Sequence, residues 1–235
     1  MSKLEVIAFD ADDTLWVNEP IFIKTREKLE SILAPYVEVS TLESKLYHTE
    51  IKNLRLFGYG IKGFMLSMIE SVIELTDGKI TGQEIQKAID LGKQMLEHPV
   101  ELITGIEEVL QKLKPHYKIM MITKGDLFDQ ESKIARSGLA QYFDIIEIVS
   151  EKNEESYLKV LNRNSIKPEN FLMIGNSPKS DILPICKIGG KAIHIPFHTT
   201  WEHELISHHD KDGIEYEELP DVSLVPEFIS KLPHH

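Results

Sequence analysis

An apolar run near the start of the chain ends in a cluster of acidic residues. The run that opens at Lys3 is rich in Val, Ile, Leu and Phe, as is typical of a strand buried in a parallel sheet, and we expect residues 1–15 to form this strand and a turn. Asp10, Asp12, Asp13 and Thr14 follow it directly. Open α/β sheets bind ligands just beyond the carboxyl ends of their strands, which is where these side chains would emerge. Because crowded carboxylates repel one another, the pattern predicts a site for a hard divalent cation.

The second half of the chain alternates between strand-like and helix-like segments. The strand-like segments are 118–123, 143–149, 171–174 and 192–195, and the helical ones are 105–113, 126–137, 154–163 and 178–188. A weaker strand is predicted near 214–216 and a short helix near 224–232. This alternation predicts right-handed βαβ units and a Rossmann-like parallel sheet with helices on both faces. The expected fold class is therefore α/β.

Residues 16–98 interrupt this pattern with helical periodicity and no convincing strand. We expect 1–15 and 99–235 to form the α/β catalytic core and 16–98 to form an inserted helical domain. Such an insertion would lie above the strand ends that carry the acidic cluster and act as a lid. The candidate substrate contacts lie in or near the glycine-rich turn of this domain and are Arg55, Tyr59 and Lys62. The alternative is an ordinary helix connection with a solvated lysine.

Composition and charge exclude several classes of function. A net charge of −12 argues against nucleic-acid binding, which needs a concentrated basic surface. No apolar run is long enough to span a membrane, and no secretory signal precedes the first strand. The single cysteine excludes an internal disulfide framework and fits a reducing cytoplasm. We expect a cytoplasmic protein that acts on a small anionic molecule, and a homodimer is left open.

Three further polar groups follow predicted strands. Thr123 precedes a glycine and Asp126, so its hydroxyl and nearby backbone N–H groups suit a phosphate oxygen. Lys152 follows the next strand and could neutralise phosphate charge and keep a nucleophilic carboxylate ionised. The loop after the following strand offers oxygen donors suited to Mg²⁺, namely Asn176, Ser177 and Asp181. The candidate phosphate contacts are thus Thr14, Thr123, Lys124 and Lys152.

Each of these groups also has a simpler structural explanation. Asp12 or Asp13 could cap the helix after the first strand, and Asp126 could cap the next helix along. Lys152 could be a solvated loop lysine. Ser177 could be the N-cap of a helix that starts with proline. Coincidence is a poor explanation for all of them, because the groups occur in order at the ends of four strands.

Together these residues resemble the four motifs of the haloacid dehalogenase-like superfamily of phosphohydrolases. The segment 10–14 (Asp-Ala-Asp-Asp-Thr) resembles the first motif, and Thr123 and Lys152 resemble the second and third. The segment 175–181 (Gly-Asn-Ser-Pro-Lys-Ser-Asp) resembles the fourth. The resemblance covers nearly the whole chain, and the insertion is similar to the α-helical cap that the family places after its first motif.

The resemblance implies a reaction and a role for each residue. Asp10 would attack phosphorus to form an aspartyl-phosphate, and Asp12 would protonate the leaving alcohol and later deprotonate water. Mg²⁺ would be held by Asp10, by the backbone carbonyl of Asp12, and by Asn176 and Asp181 of the fourth motif. Thr123 and Lys152 would stabilise the transferring phosphoryl group. The implied activity is a Mg²⁺-dependent phosphatase for a small phosphorylated metabolite.

Two residues depart from the family pattern. Asp13 stands where the family often has glycine, and it could bond the loop or form a salt bridge to the cap. Asn176 stands where the family often has an acid, so one charge is missing unless Asp181 supplies an anionic ligand directly or through water. Segment 201–204 lies past the last core strand, and we interpret it as packing on the sheet edge outside the active site.

Four alternative functions remain open at this stage. A haloacid dehalogenase on the same fold needs no leaving-group acid, so the presence of Asp12 favours a phosphatase. A phosphomutase would share every motif. A phospho-acceptor signalling domain is about half this length and carries its acceptor on a later strand, which here ends in Thr123. A catalytically dead phosphate-binding scaffold would fit the loss of charge at Asn176.

Overall fold

A computed structural model of the chain describes residues 3–199, 201–204 and 213–232. The chain divides into two compact units. The first, which we call the sheet unit, contains residues 1–19, 100–124 and 133–235. The second, the helical unit, contains residues 20–99 together with 125–132. Each unit is described by itself below.

Within the residues that the structure describes, the sheet unit is built on six parallel strands. They are β1 (Val6–Phe9), β2 (Lys118–Lys124), β3 (Ile145–Val149), β4 (Phe171–Gly175), β5 (Lys191–His194) and β6 (Glu217–Glu218). Their order across the sheet is β3-β2-β1-β4-β5-β6, so the first strand lies in the middle. Phe9, the last residue of β1, pairs with Met121 and with Ile174. The carboxyl ends of β1, β2 and β4 therefore meet at one edge, and the predicted parallel α/β fold is confirmed.

Apolar side chains alternate between the two faces of the sheet, as strand geometry requires. Ile7 and Phe9 belong to one buried cluster, and Val6 and Ala8 belong to the other. The helices of this unit are α5 (Ile106–Leu113), the second half of α6 (Leu127–Ser137), α7 (Glu154–Arg163), α8 (Leu183–Lys187) and α9 (Val225–Ser230). Both faces of β1 are fully buried, which explains why its sequence is uninterrupted by polar residues.

The helical unit consists of four longer helices and the first part of α6. The four are α1 (Glu19–Leu33), α2 (Val39–Phe57), α3 (Ile61–Leu75) and α4 (Gly82–Glu97). They bury a separate apolar cluster that includes Leu29, Phe64 and Met68. Helix α4 starts with the predicted capping box, in which Thr81 and Glu84 each bond the other's backbone N–H group. None of the helices in the described ranges combines the length and low polarity that a membrane-spanning helix needs.

The predicted helix over 178–188 is wrong in its first part, because residues 178–182 form a π-helical turn before α8. Pro184 has no N–H group to bond the carbonyl of Ser180, as a continuous α-helix would require. The hydroxyl of buried Tyr157 donates to that carbonyl instead, at 3.0 Å. The proline therefore explains the irregular turn, and the tyrosine hydroxyl supplies the hydrogen bond that the proline cannot donate.

Other element boundaries differ less from the prediction. Strand β3 starts at 145 rather than 143, because the side chain of Asp144 accepts the N–H of Ile119 that a longer ladder would use. The weak strand predicted at 214–216 is displaced to Glu217–Glu218. The C-terminal helix is shorter than predicted and starts with a 3₁₀ turn at Val222–Leu224.

Asp13 acts as a structural cap in the loop after β1. Its backbone has a positive φ of 62°, which explains why glycine suits this position. Its carboxylate accepts the backbone N–H groups of Asn18 at 2.7 Å and Glu19 at 3.0 Å, where α1 begins. Burial raises the pKa of Asp13 to about 8 against these two hydrogen bonds. Of the two roles considered for Asp13, the hydrogen bond to the loop is the one observed.

Substitutions of Asp13 separate the hydrogen bonds from the backbone conformation. We expect Asp13→Ala to lower the free energy of unfolding by about 2 kcal/mol, because it loses the cap and leaves alanine in a left-handed conformation. Asp13→Gly should recover about 1 kcal/mol of that loss. Asp13→Asn should stay closest to wild type, because asparagine keeps an acceptor and tolerates positive φ. Urea denaturation measures all three, and an alanine variant as stable as wild type would contradict the assignment.

Candidate active site

The sheet unit brings the predicted site residues together at the carboxyl edge of its strands. Asp10 follows β1, and its backbone N–H donates to Ile174 of β4 at 2.9 Å. Thr123 lies near the end of β2 and is buried. Lys152 lies in the loop between β3 and α7, and the loop that starts at Asn176 follows β4. Four segments that are far apart in sequence thus converge around Asp10.

Lys152 links two of these segments through a pair of buried ionic contacts. Its Nζ lies 2.5 Å from Asp10 Oδ1 and 2.7 Å from Asp181 Oδ1. The other oxygen of Asp181 accepts the backbone N–H of Ser177 at 3.0 Å. A Cβ atom on Gly175 would stand 2.3 Å from Asp181 Oδ2, so only glycine leaves room for this carboxylate. Both oxygens of Asp181 therefore already have protein partners.

The charges in this group determine its ionisation. Burial and the neighbouring carboxylate of Asp181 raise the pKa of Asp10 to about 7, although Lys152 opposes the shift. Burial would lower the pKa of Lys152, but Asp10 and Asp181 outweigh it and raise that pKa. The lysine is therefore a fixed cation shared by two acids. One ammonium group cannot neutralise both carboxylates, and the pKa of Asp10 is raised as a result.

A set of oxygen atoms beside Asp10 has the donor chemistry of a magnesium site. One amide atom of Asn176 lies 3.3 Å from Asp10 Oδ2 and 3.3 Å from the backbone carbonyl oxygen of Asp12. As a nitrogen, this atom donates to both oxygens; as an oxygen, it completes a group of three. Adjacent oxygen ligands of Mg²⁺, each at about 2.1 Å, are roughly 3 Å apart. These residues therefore fit a bound Mg²⁺.

Thr14 lies beside the same set of atoms. Its Oγ1 is 3.5 Å from Asp10 Oδ2 and 3.4 Å from the nearest amide atom of Asn176. Within the described residues no three His, Cys, Asp or Glu side chains are grouped as metal ligands. The candidate donors are instead one carboxylate, one amide and one backbone carbonyl. A search for acidic and histidine clusters alone would miss such a set.

Asp12 is held by two donors that the sequence analysis did not identify. Trp16 Nε1 and Lys133 Nζ each donate to Asp12 Oδ1 at 2.7 Å. Lys133 lies in α6, is only 9% exposed, and also reaches Asn18 at 3.4 Å. Its one sequence signal is a lysine beside buried Ile134 in an otherwise amphipathic helix. That signal is too weak to name a partner 121 residues away.

Lys124 and Glu204 form a second ion pair, which is partly buried. Lys124 Nζ lies 2.5 Å from Glu204 Oε1 and donates to Ser180 Oγ at 2.9 Å. Glu204 also accepts the hydroxyls of Ser177 and Ser180, so it contacts the fourth motif directly. The interpretation of segment 201–204 as remote from the site is therefore wrong. A phosphate contact by Lys124 stays a prediction and would compete with this pair.

The three other candidate residues belong to the helical unit. Arg55 is exposed near the end of α2, and Tyr59 lies in the turn that leads to α3. Lys62 pairs with Asp126 at 2.9 Å and lies over the ring of Phe128. Asp126 also accepts the N–H of Asp129 at 3.0 Å, so its predicted capping role is confirmed. The roles of Arg55, Tyr59 and Lys62 as substrate contacts stay predictions.

Comparisons with known proteins agree with this arrangement. A model of the haloacid dehalogenase-like hydrolase family matches residues 4–188, which include all four motifs. A crystal structure of a haloacid dehalogenase-like family hydrolase from Xanthomonas campestris has 39% sequence identity and a TM-score of 0.86. The match covers 97% of this chain and 91% of that one.

Two curated relatives match more distantly. A glyceraldehyde 3-phosphate phosphatase from Methanothermobacter thermautotrophicus is 29% identical over 118 residues, which are 48% of this chain and 51% of the relative. A human N-acylneuraminate-9-phosphatase is 23% identical over 129 residues, 52% of each protein. The chain thus spans about half the length of the curated relatives it matches. With the family model, the crystallographic relative and the four converging motifs in agreement, the chain belongs to the haloacid dehalogenase-like hydrolase family.

Proposed function

We propose that this hydrolase is a Mg²⁺-dependent phosphatase that cleaves a small phosphorylated metabolite through an aspartyl-phosphate on Asp10. The observation that carries the proposal is the environment of Asp10. Its carboxylate is buried, is bonded to Lys152, and faces the Asn176 amide and the Asp12 carbonyl. Both curated relatives are named as phosphatases, which supports the same class of reaction.

The proposed reaction has two steps at phosphorus. In the first, a carboxylate oxygen of Asp10 forms a bond to phosphorus while the bond to the leaving oxygen breaks. Asp12 gives its proton to that oxygen, so the alcohol leaves neutral. In the second, water attacks the same phosphorus, Asp12 takes up a proton from it, and Asp10 is released with free phosphate. Thr123, Thr14 and Lys152 are the candidate contacts to the phosphoryl oxygens.

Charge balance explains why this chemistry calls for a metal ion. Asp10 and Asp181 lie beside the ammonium group of Lys152, and Asp12 lies beside that of Lys133. A phosphate monoester would bring further negative charge to the carboxylate that attacks it. Bound Mg²⁺ would supply the positive charge that offsets repulsion between Asp10 and the phosphoryl group.

We propose that Mg²⁺ is held by Asp10, the carbonyl of Asp12 and the amide oxygen of Asn176. Asp181 differs from these three, because its oxygens are bonded to Lys152 and to the backbone of Ser177. Its proposed contribution is through water or through the position it gives to Lys152. This division makes the neutral Asn176 a direct ligand and the acidic Asp181 a supporting one.

The helical unit is the proposed cap that selects the leaving group. It comprises four helices with their own apolar core, so it could vary its surface without disturbing the sheet unit. Arg55, Tyr59 and Lys62 are proposed as its contacts to the distal part of the substrate.

Hydrolysis of p-nitrophenyl phosphate by wild type and two matched variants tests the proposal. We expect turnover to require Mg²⁺ and to fall below detection in Asp10→Asn, because the amide is not a nucleophile. Asp12→Asn should reduce turnover of an alkyl phosphate by about 100-fold or more, because an alkoxide needs a proton to leave. Its effect on p-nitrophenyl phosphate should be smaller, since p-nitrophenolate leaves readily without one.

The outcomes separate the alternatives. A folded wild type that releases chloride from a 2-chloroacid but no phosphate from any monoester would show a dehalogenase instead. Full activity in Asp10→Asn would contradict the assigned nucleophile. Exposed Glu169 offers a control site, and Glu169→Gln should leave every rate unchanged.

Lys133 provides a second prediction about Asp12. Lys133→Met removes one of the two donors to Asp12 Oδ1, so the acid loses part of its orientation. We expect kcat for an alkyl phosphate to fall about 10-fold or more, with a smaller effect for p-nitrophenyl phosphate. The exposed lysine of α7 is a matched control, and Lys159→Met should change neither rate. Equal losses on both substrates would contradict a role through Asp12.

Asn176 provides a third prediction, measured without turnover. In Asn176→Asp a carboxylate faces Asp10 and the Asp12 carbonyl with no N–H group to separate them. We therefore expect a lower Tm than wild type in EDTA. Added Mg²⁺ should raise the Tm of this variant more than that of wild type, because binding gains a charge. An equal Mg²⁺-dependent rise in both proteins would contradict Asn176 as a ligand.

A further inference from the structure

Glu204 is a buried carboxylate outside the four motifs that contacts the fourth motif and the residue after the second. It lies at the end of the short 3₁₀ helix Glu202–Glu204 and is 8% exposed. Its side chain contacts Lys124, which follows Thr123 in the second motif. It also contacts Ser177 and Ser180 of the fourth motif, at 2.5 and 2.6 Å. One side chain thus joins two strand ends.

The direction in which each serine hydroxyl donates can be inferred from the hydrogen bond that its oxygen accepts. Ser177 Oγ accepts the backbone N–H of Ser180 at 3.1 Å, so its own proton points to Glu204. Ser180 Oγ accepts from Lys124 at 2.9 Å, so its proton also goes to Glu204. The carboxylate is therefore the common acceptor for two hydroxyls and one ammonium. Without it, the hydroxyls of Ser177 and Ser180 would lose this acceptor, and Lys124 would lose its contact at 2.5 Å.

The electrostatics agree with this geometry. Burial would raise the pKa of Glu204, but Lys124 and the two serine hydroxyls outweigh it and lower the pKa to about 2. The carboxylate is therefore ionised at neutral pH. It carries the negative charge that faces the ammonium group of Lys124.

The loop that Glu204 holds carries the residues assigned to the metal side of the site. Ser177 directly follows Asn176, and its backbone N–H donates to Asp181 at 3.0 Å. Asp181 in turn contacts Lys152, which contacts Asp10. Displacement of Ser177 would therefore move Asn176 and Asp181 together.

We propose that Glu204 is a positioning residue that fixes the loop 175–181 and Lys124 so that Asn176 and Asp181 stay aligned with Asp10. This inference rests on the proposed function, because it assigns Asn176 to the Mg²⁺ site. Glu204 acts through its neighbours and touches neither substrate nor metal.

The test compares Glu204→Gln with Glu202→Gln, an exposed glutamate in the same short helix. Mg²⁺ binding is measured by isothermal titration calorimetry, and kcat is measured with p-nitrophenyl phosphate. We expect Glu204→Gln to weaken Mg²⁺ binding about 10-fold or more and to lower kcat, because residues that support metal ligands have effects of this size. Glu202→Gln should match wild type in both measurements.

Ser180→Ala keeps the test decisive if Glu204→Gln does not fold. It removes one hydroxyl from the carboxylate and preserves the ion pair with Lys124. We expect Mg²⁺ binding to weaken in the same direction by a smaller factor. A folded Glu204→Gln or Ser180→Ala variant with reduced Tm but wild-type Mg²⁺ affinity would overturn the proposal, because Glu204 would then serve stability alone.

The same data distinguish this inference from the proposed function. Wild type that binds Mg²⁺ and turns over, together with an equally active Glu204→Gln, would overturn the positioning role only. Wild type that neither binds Mg²⁺ nor hydrolyses phosphate monoesters would overturn both.

Discussion

The site depends on the ammonium group of Lys152, which two carboxylates share. Its ammonium group bonds Asp10 from the first strand and Asp181 from the loop after the fourth. All three side chains are buried, so the carboxylates could not remain ionised side by side without it. Gly175 leaves room for Asp181, and the N–H of Ser177 orients it. The other contacts of the site surround this group of one ammonium and two carboxylates.

The two carboxylates that share Lys152 affect each other's ionisation. Burial and the carboxylate of Asp181 raise the pKa of Asp10 to about 7, and Lys152 opposes this shift. The Asn176 amide can face Asp10 with either nitrogen or oxygen, which an aspartate could not do. An aspartate in its place would add a negative charge beside Asp10.

Most of the sheet unit could be predicted from the sequence because its signals are local. Continuous apolar runs predict the buried strands, and polar residues directly after them mark the strand ends where Asp10 and Asn176 lie. The N-cap roles of Thr81 and Ser177 were predictable for the same reason. These features depend on residues no more than a few positions apart.

The supporting contacts could not be predicted, because they join residues that are far apart in sequence. Lys133 is 121 positions from Asp12, and Glu204 is 80 positions from Lys124. No periodicity links a helix lysine or a loop glutamate to such a partner. The π-helical turn was also missed, since its cause combines Pro184 with a distant hydroxyl from Tyr157. Local patterns thus locate the candidate site residues at the strand ends, whereas tertiary packing selects the residues that contact them.

The most direct test of the account is to trap the phosphorylated enzyme. Wild type would be mixed with a phosphate monoester and Mg²⁺, quenched in acid during turnover, digested and analysed by mass spectrometry. The account predicts one phosphoryl group on the carboxylate of Asp10, absent without Mg²⁺ and absent in Asp10→Asn. Steady hydrolysis with an unmodified Asp10 peptide, or a phosphoryl group on another residue, would contradict it.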